Sequence, residues 1–301
     1  MIPSRHISSG HVVFISIAAL ALAASPWLNT LTSSAQIAIA LTGIALVGLP
    51  HGAADAWLAS RLGLVNRPAQ AVVFLGGYAL LAALVIAVWL VVPVISLAVF
   101  LLISAWHFGG DFTDSAKPVL RLSAGTALLG APAIFWPVAV GDIYEALSGP
   151  ASAGLVEIQR ILCVVAWLVL PVAGLICGFD RTDWRGRVTL AALTLLAVAL
   201  APLLWFAVYF CALHAPRHLH RLLADAGADA QRRLIGLAGT MTLVTLIAAI
   251  TFYLAIMPSS PDIDTALMNI IFVGLAALTV PHMALVDGVL TGLSHKGGAP
   301  L

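Results

Sequence analysis

His214 and His218 stand four residues apart, so on a helix both imidazoles project from one face. That spacing is a common way to give two ligands to one metal. His51 precedes Asp55 by four residues, and His107 precedes Asp111 by four, which puts a carboxylate one turn along in each case. Metal-binding histidines usually donate their second ring N–H to such a group, and the arrangement recurs on two separate segments. His282 has no carboxylate at that spacing, since Asp287 is five residues on; a ligand, a hydrogen-bonding group behind the ligands and a packing residue are all open to it, and the second is expected first. Pro216 lies between His214 and His218, removes a backbone donor and predicts a kink.

Neutral imidazoles suit zinc, copper, iron and nickel alike. No pair of thiolates in the apolar stretches favours a structural zinc. An open coordination position beside an apolar pocket would suit redox chemistry by iron and O2 on a lipid-soluble molecule, although the spacing itself leaves the metal open. Trp106, Phe108, Trp205, Phe206, Tyr209 and Phe210 flank the histidines. Such rings serve as interfacial anchors or line a slot for a flat apolar substrate. His6, His11 and His295 lie near the tails and are expected to be solvated, and His220 is expected to face the inner interface.

The elements that must position these groups follow from composition. Of 301 residues, 61% are hydrophobic and only 9% charged, with a mean hydropathy of +1.07. A soluble domain carries about 25% charged residues, so an all-α, polytopic membrane protein is expected, in one domain over residues 1–301. A net charge of +1 argues against nucleic-acid binding. Cys163 and Cys177 fall on one expected helix, roughly 21 Å apart at 1.5 Å per residue, too far to bridge. Cys211 reads as a small core residue. Stretches near 11–28, 35–58, 71–91, 93–110, 119–140, 155–177, 187–201, 202–222, 234–257 and 266–290 approach the length of a bilayer span. The first of them, after Arg5 and ending in small residues, also has the form of a signal peptide.

About ten helices with both tails in the cytoplasm segregate the charges as membrane topology demands. Arg61, Arg67, Lys117, Arg121, Arg181, Arg185, Arg187, Arg217, Arg221, Arg232 and Arg233 then fall on inner loops, with Arg5 and Lys296 on inner tails. Asp142, Glu145, Glu157, Asp262 and Asp264 fall outside, where Arg160 is the exception. This topology places His51, His107, His214, His218 and His282 in the cytoplasmic half of helices that all run outward to inward. An imidazole in hydrocarbon is costly and normally paired or functional, so five of the nine histidines at one depth predict one polar site.

The motifs themselves resemble a known family. Gly48-Leu49-Pro50-His51-Gly52-Ala53-Ala54-Asp55 resembles the Pro-His-Gly-x-x-Asp signature of the Brp/Blh family of bacterial and archaeal β-carotene 15,15′-dioxygenases. Ser104-Ala105-Trp106-His107-Phe108-Gly109-Gly110-Asp111, His214-Ala215-Pro216-Arg217-His218 and Val280-Pro281-His282 resemble its later histidine motifs, in the same order. The resemblance implies a multi-helix enzyme of the cell membrane that cleaves β-carotene at its central double bond with O2, giving two retinals. It implies Fe(2+) held by His51, His107, His214 and His218, and a link to a retinal-binding rhodopsin. Asp55 and Asp111 then orient the ligands.

Other readings make distinct demands. A membrane di-iron hydroxylase or desaturase of a carotenoid or lipid typically supplies eight or more histidines from its boxes, and only His214, His218 and His220 look like one. A proton- or metal-coupled transporter would use His51, His107 and Asp55 as a relay and would be indifferent to iron. A retinal-binding receptor needs a mid-membrane lysine, and Lys117 and Lys296 both lie at loops.

Overall fold

The computed structural model describes residues 4–113, 117–177, 184–224, 227–256 and 262–289. Arg181, His295 and Lys296, and hence the inner C-terminal tail, lie outside the described residues. In chain order the helices are α1 (Ser4–Leu28), α2 (Ser33–Gly43), α3 (Leu49–Ala53), α4 (Asp55–Arg61), α5 (Pro68–Val91), α6 (Pro93–Gly109) and α7 (Pro118–Phe135). They continue with α8 (Pro137–Ser148), α9 (Ala153–Cys177), α10 (Trp184–Ala199), α11 (Pro202–Tyr209), α12 (Ala215–Ala224), α13 (Ala228–Ile256) and α14 (Ile263–Met283). The described residues contain no strand. The fold is an all-α helical membrane bundle.

Proline sets many of the starts. Pro68, Pro93, Pro118, Pro137 and Pro202 each open a helix, where the missing N–H costs nothing and the fixed φ suits the first turn. Gln70 caps α5 by accepting from the Asn66 and Arg67 backbone N–H groups at 2.8 and 3.1 Å. Asp262 caps α14 by accepting from Thr265 N at 2.7 Å.

Seven helical segments of the described residues are long and apolar enough to cross a bilayer: Gly10–Leu28, Ser33–Arg61, Pro68–Val91, Pro118–Phe135, Pro150–Ile176, Ala228–Ala255 and Ile263–Asp287. The other three expected stretches appear as Pro93–Gly109, Trp184–Ala199 and the composite of α11, a π-helical turn at Phe210–His214 and α12. The expected span 119–140 is corrected. It stops at Phe135 and a separate helix begins at Pro137, with Trp136 extended away from helical geometry at φ −131° and ψ 54°. A residue before proline is pushed out of the α region, and the Trp136 indole N–H then donates to Ala197 O at 2.9 Å.

Contacts gather into two compact units, Met1–Ala40 with Pro93–His214, and Leu41–Val92 with Ala215–Leu301. In the first, α7 is the central helix and packs on α6, α9 and α10. Its Ala124, Ala127, Leu128, Ala131 and Ala133 are buried. A Cβ on Gly125 would lie 1.7 Å from Ala105 O, and one on Gly109 would lie 1.9 Å from Arg121 O. Pairing 105 with 125 and 109 with 121 makes α6 and α7 antiparallel, with their backbones nearly touching. Small residues permit that approach, which is how helices gain packing energy inside a bilayer.

Arg121 departs from the sequence expectation. It is a buried residue of α7 rather than a solvated loop charge. Its Nε–H donates to Trp106 O at 2.8 Å, and its guanidinium lies 4.5 Å from the centre of the Trp106 ring. His11, expected to be solvated, meets Thr189 Oγ1 at 3.3 Å. The break between α10 and α11 is bridged by Asn29, which donates to Ala199 O at 2.7 Å and accepts from Ala201 N at 3.1 Å. Backbone groups released by a broken helix need such partners where water is scarce.

In the second unit, α14 packs on α5 and α13, and α13 and α12 pack on α3. Leu58, Ala59 and Leu285 form a small core, covered by Leu62, Val65, Phe74, Leu222 and Val286.

Candidate metal centre

His51, His214, His218 and His282 each stand beside an interruption of a regular helix, and His107 lies in the last turn of α6. Pro50 lacks the N–H that would bond Leu46 O, and a π-helical turn occupies Ile44–Gly48. Pro216 lacks the N–H that would bond Ala212 O, and a π-helical turn occupies Phe210–His214. A third such turn, Ala284–Val289, comes after His282. Proline disturbs the i→i−4 ladder on the turn before it, and π turns recur at functional sites because they re-aim side chains.

In the second unit three imidazoles surround one point. The ring centres are 5.3 Å apart for His51 and His282, 5.7 Å for His51 and His218, and 5.1 Å for His218 and His282. His51 and His282 are buried. Asp55, 2% exposed, meets His282 Nδ1 with both oxygens, at 2.8 and 2.9 Å. Tyr78 of α5 donates to Asp55 Oδ2 at 3.0 Å, with Leu278 O also in reach at 3.2 Å. His51 Nδ1 is held by the Gly48 carbonyl. One ligand atom each from Asp55, His218 and His282 lies within 4.8 Å of the other two.

The first unit repeats the order. His107 and His214 have ring centres 5.1 Å apart. Asp111 Oδ2 lies 2.8 Å from His214 Nδ1 and accepts from Tyr209 O–H at 3.0 Å. Phe210 stacks on His214 at 5.5 Å, and Phe108 meets it edge-on at 4.8 Å. Trp205 stacks on Tyr209, and Phe206 on Phe210. Trp106 carries Arg121, and the other five aromatics singled out by sequence build the packing around His214.

The fold gives both carboxylates partners that the spacing did not suggest. Asp55 serves His282 rather than His51, and Asp111 engages His214. The helix bends at Ala54, where ψ is −5°, between α3 and α4, so the carboxylate leaves the face of His51. Asp111 lies beyond the end of α6 in a turn, where its N–H bonds Phe108 O at 3.0 Å. Sequence reading missed Tyr78 altogether. A single tyrosine in an apolar stretch carries no spacing signal, and its partner is 23 residues away.

The donor set fits a resident metal. Neutral imidazoles suit zinc, copper, iron and nickel, and the carboxylates stand at their Nδ1 atoms. An imidazole whose Nδ1 is engaged by a carboxylate presents Nε2 in one fixed tautomer.

Comparison with known proteins gives one consistent result. A family model described as beta-carotene 15,15'-dioxygenase matches residues 42–289. The chain is 29% identical, over 266 residues, to a beta-carotene 15,15'-dioxygenase of uncultured marine bacterium 66A03, covering 85% of this chain and 95% of that protein. It is 27% identical to a probable beta-carotene 15,15'-dioxygenase Blh of Halobacterium salinarum, covering 89% of each. No solved structure matches.

Proposed function

The chain belongs to the beta-carotene 15,15'-dioxygenase family, and from that premise we propose that it cleaves β-carotene with O2 at the central double bond, giving two molecules of all-trans-retinal. Both oxygen atoms enter product, one at each new aldehyde, so the reaction needs no added reductant. The observation that carries this reading is the pair of buried clusters in which tyrosine, aspartate and histidine are joined, at residues matched by the family.

We propose Fe(2+) as the metal and, on the sequence motifs, His51, His107, His214 and His218 as its ligands. When bound, the metal supplies activation of O2. The chain's own part is to bind, orient and keep dry. Asp111 holds the His214 imidazole at Nδ1 and Asp55 holds that of His282, while Tyr209 and Tyr78 hold the two carboxylates. β-Carotene has no polar handle, so affinity rests on apolar contact and the cleaved bond is chosen by where the chain is held. The aromatic set Phe108, Trp205, Phe206, Tyr209 and Phe210 around His214, with Trp106 beneath Arg121, is proposed to support that binding. The plasma membrane, cytoplasmic termini and supply of retinal to a rhodopsin-type protein complete the proposal.

The experiment is expression in cells that accumulate β-carotene, with retinal measured by chromatography. Loss of orange colour with retinal appearing is expected. Unchanged β-carotene, with folded and iron-loaded protein, overturns central cleavage.

A further inference from the structure

We propose that His282 is itself a metal ligand through Nε2, and that Asp55 and Tyr78 are the positioning residues that aim it. The inference rests on the metal reading proposed for this family member and extends the ligand set beyond the four histidines proposed above. Sequence spacing offers His282 no carboxylate. The fold supplies one from 227 residues away, at 2.8 Å.

Three observations converge. His282 is 4% exposed and lies in α14, where its ring centre is 5.1 Å from that of His218 and 5.3 Å from that of His51. An imidazole kept only for packing has no need of two further imidazoles at that range. Secondly, the Asp55 oxygens accept from His282 Nδ1 and from Tyr78 O–H. That use marks Asp55 as the group behind a ligand, since ligating imidazoles usually donate their far N–H to a carboxylate. Thirdly, His214 has the same build, with Asp111 on Nδ1 and Tyr209 on Asp111. His214 belongs to the proposed ligand set, so the matching chain ending in His282 assigns it the same work.

The roles are separable because Asn reproduces the Nδ1 side of histidine and offers nothing at Nε2. His282→Asn keeps a donor for Asp55 and removes the ligand atom. The test uses purified full-length protein in lipid nanodiscs with Co2+ as the probe, reading affinity by chelator competition and coordination by visible absorption. Expected are affinity lower by about tenfold or more in His282→Asn, and by about 10- to 100-fold in Tyr78→Phe, with altered spectra in both. His282→Gly should regain Co2+ binding on addition of free imidazole, which guards against a mere folding defect. Wild-type affinity and spectrum in His282→Asn, or in Tyr78→Phe, overturns the inference while leaving the metal reading intact. A wild type that takes up neither Co2+ nor Fe2+ overturns the metal reading and this inference with it.

Discussion

Asp111 Oδ2 lies 2.8 Å from His214 Nδ1, although 103 residues separate the two in sequence. The contact ties the turn after α6 to the last turn before α12, and Tyr209 O–H donates to the same carboxylate oxygen at 3.0 Å. Replacing Asp111 by Asn removes the charge and lets an amide N–H compete for the same position. Metal affinity should fall by about 10- to 100-fold, measured as bound iron after dialysis against graded chelator. An unchanged affinity would detach this carboxylate from the metal.

Removal of the metal is a second check. Incubation with a strong Fe(2+) chelator should abolish retinal formation, and added Fe(2+) should restore it where Zn(2+) does not. Zinc has no redox chemistry to offer O2. Full activity in metal-free protein would end the iron proposal. His107→Ala should lower bound iron and activity together, and iron retained at full occupancy would remove His107 from the set.

Gly125 is expected to tolerate no side chain. A methyl there would meet Ala105 O at 1.7 Å, so Gly125→Ala must push α6 and α7 apart. Overpacking of this kind costs about 1–3 kcal/mol or more, read as a lower midpoint of thermal unfolding in detergent. Gly76→Ala is the matched control. It meets nothing within 4 Å and should hold or slightly raise the midpoint, since alanine favours helix by about 1 kcal/mol over glycine. Equal midpoints for the two variants would refute the close approach of α6 and α7.

Asn29 should matter to stability without touching the chemistry. Asn29→Ala leaves Ala199 O and Ala201 N without their side-chain partner at the α10–α11 break. A lost buried partner costs about 1–3 kcal/mol. Asn29→Asp keeps the acceptor for Ala201 N and loses the donor to Ala199 O, so its unfolding midpoint should fall between wild type and Asn29→Ala. A wild-type midpoint in Asn29→Ala would show that lipid or water serves the break as well.

Much of the fold is legible along the chain because hydrocarbon forces long apolar runs and proline marks where they begin. The stretches 71–91 and 155–177 correspond to α5 and α9 within a few residues, and the split at Pro202 is real. The histidines stand out because imidazole is rare in such runs. The pairings are another matter. Spacing by four assigns Asp55 to His51, a local rule that the bend at Ala54 defeats, and nothing local connects Asp55 to His282 or Asp111 to His214. Arg121 reads as a loop cation until α6 is seen to provide a carbonyl and an indole face for it. Long-range partners are set by which helices pack together, and that is decided by small contacts such as Gly125 on Ala105.

The π-helical turns at Ile44–Gly48 and Phe210–His214 bear on how this gene can change. Each residue of a helix advances the face by about 100°, and a wide turn holds one residue more than a regular turn does. Deleting a single amino acid such as Val47 or Cys211 would let the regular helix close up with the next helical segment still on its face, so the change would fall on the side chains that the wide turn aims. In-frame loss of one codon at either place is therefore expected to spare the fold more than loss of one codon inside the regular helix α5, where every residue beyond the deletion would turn by that angle.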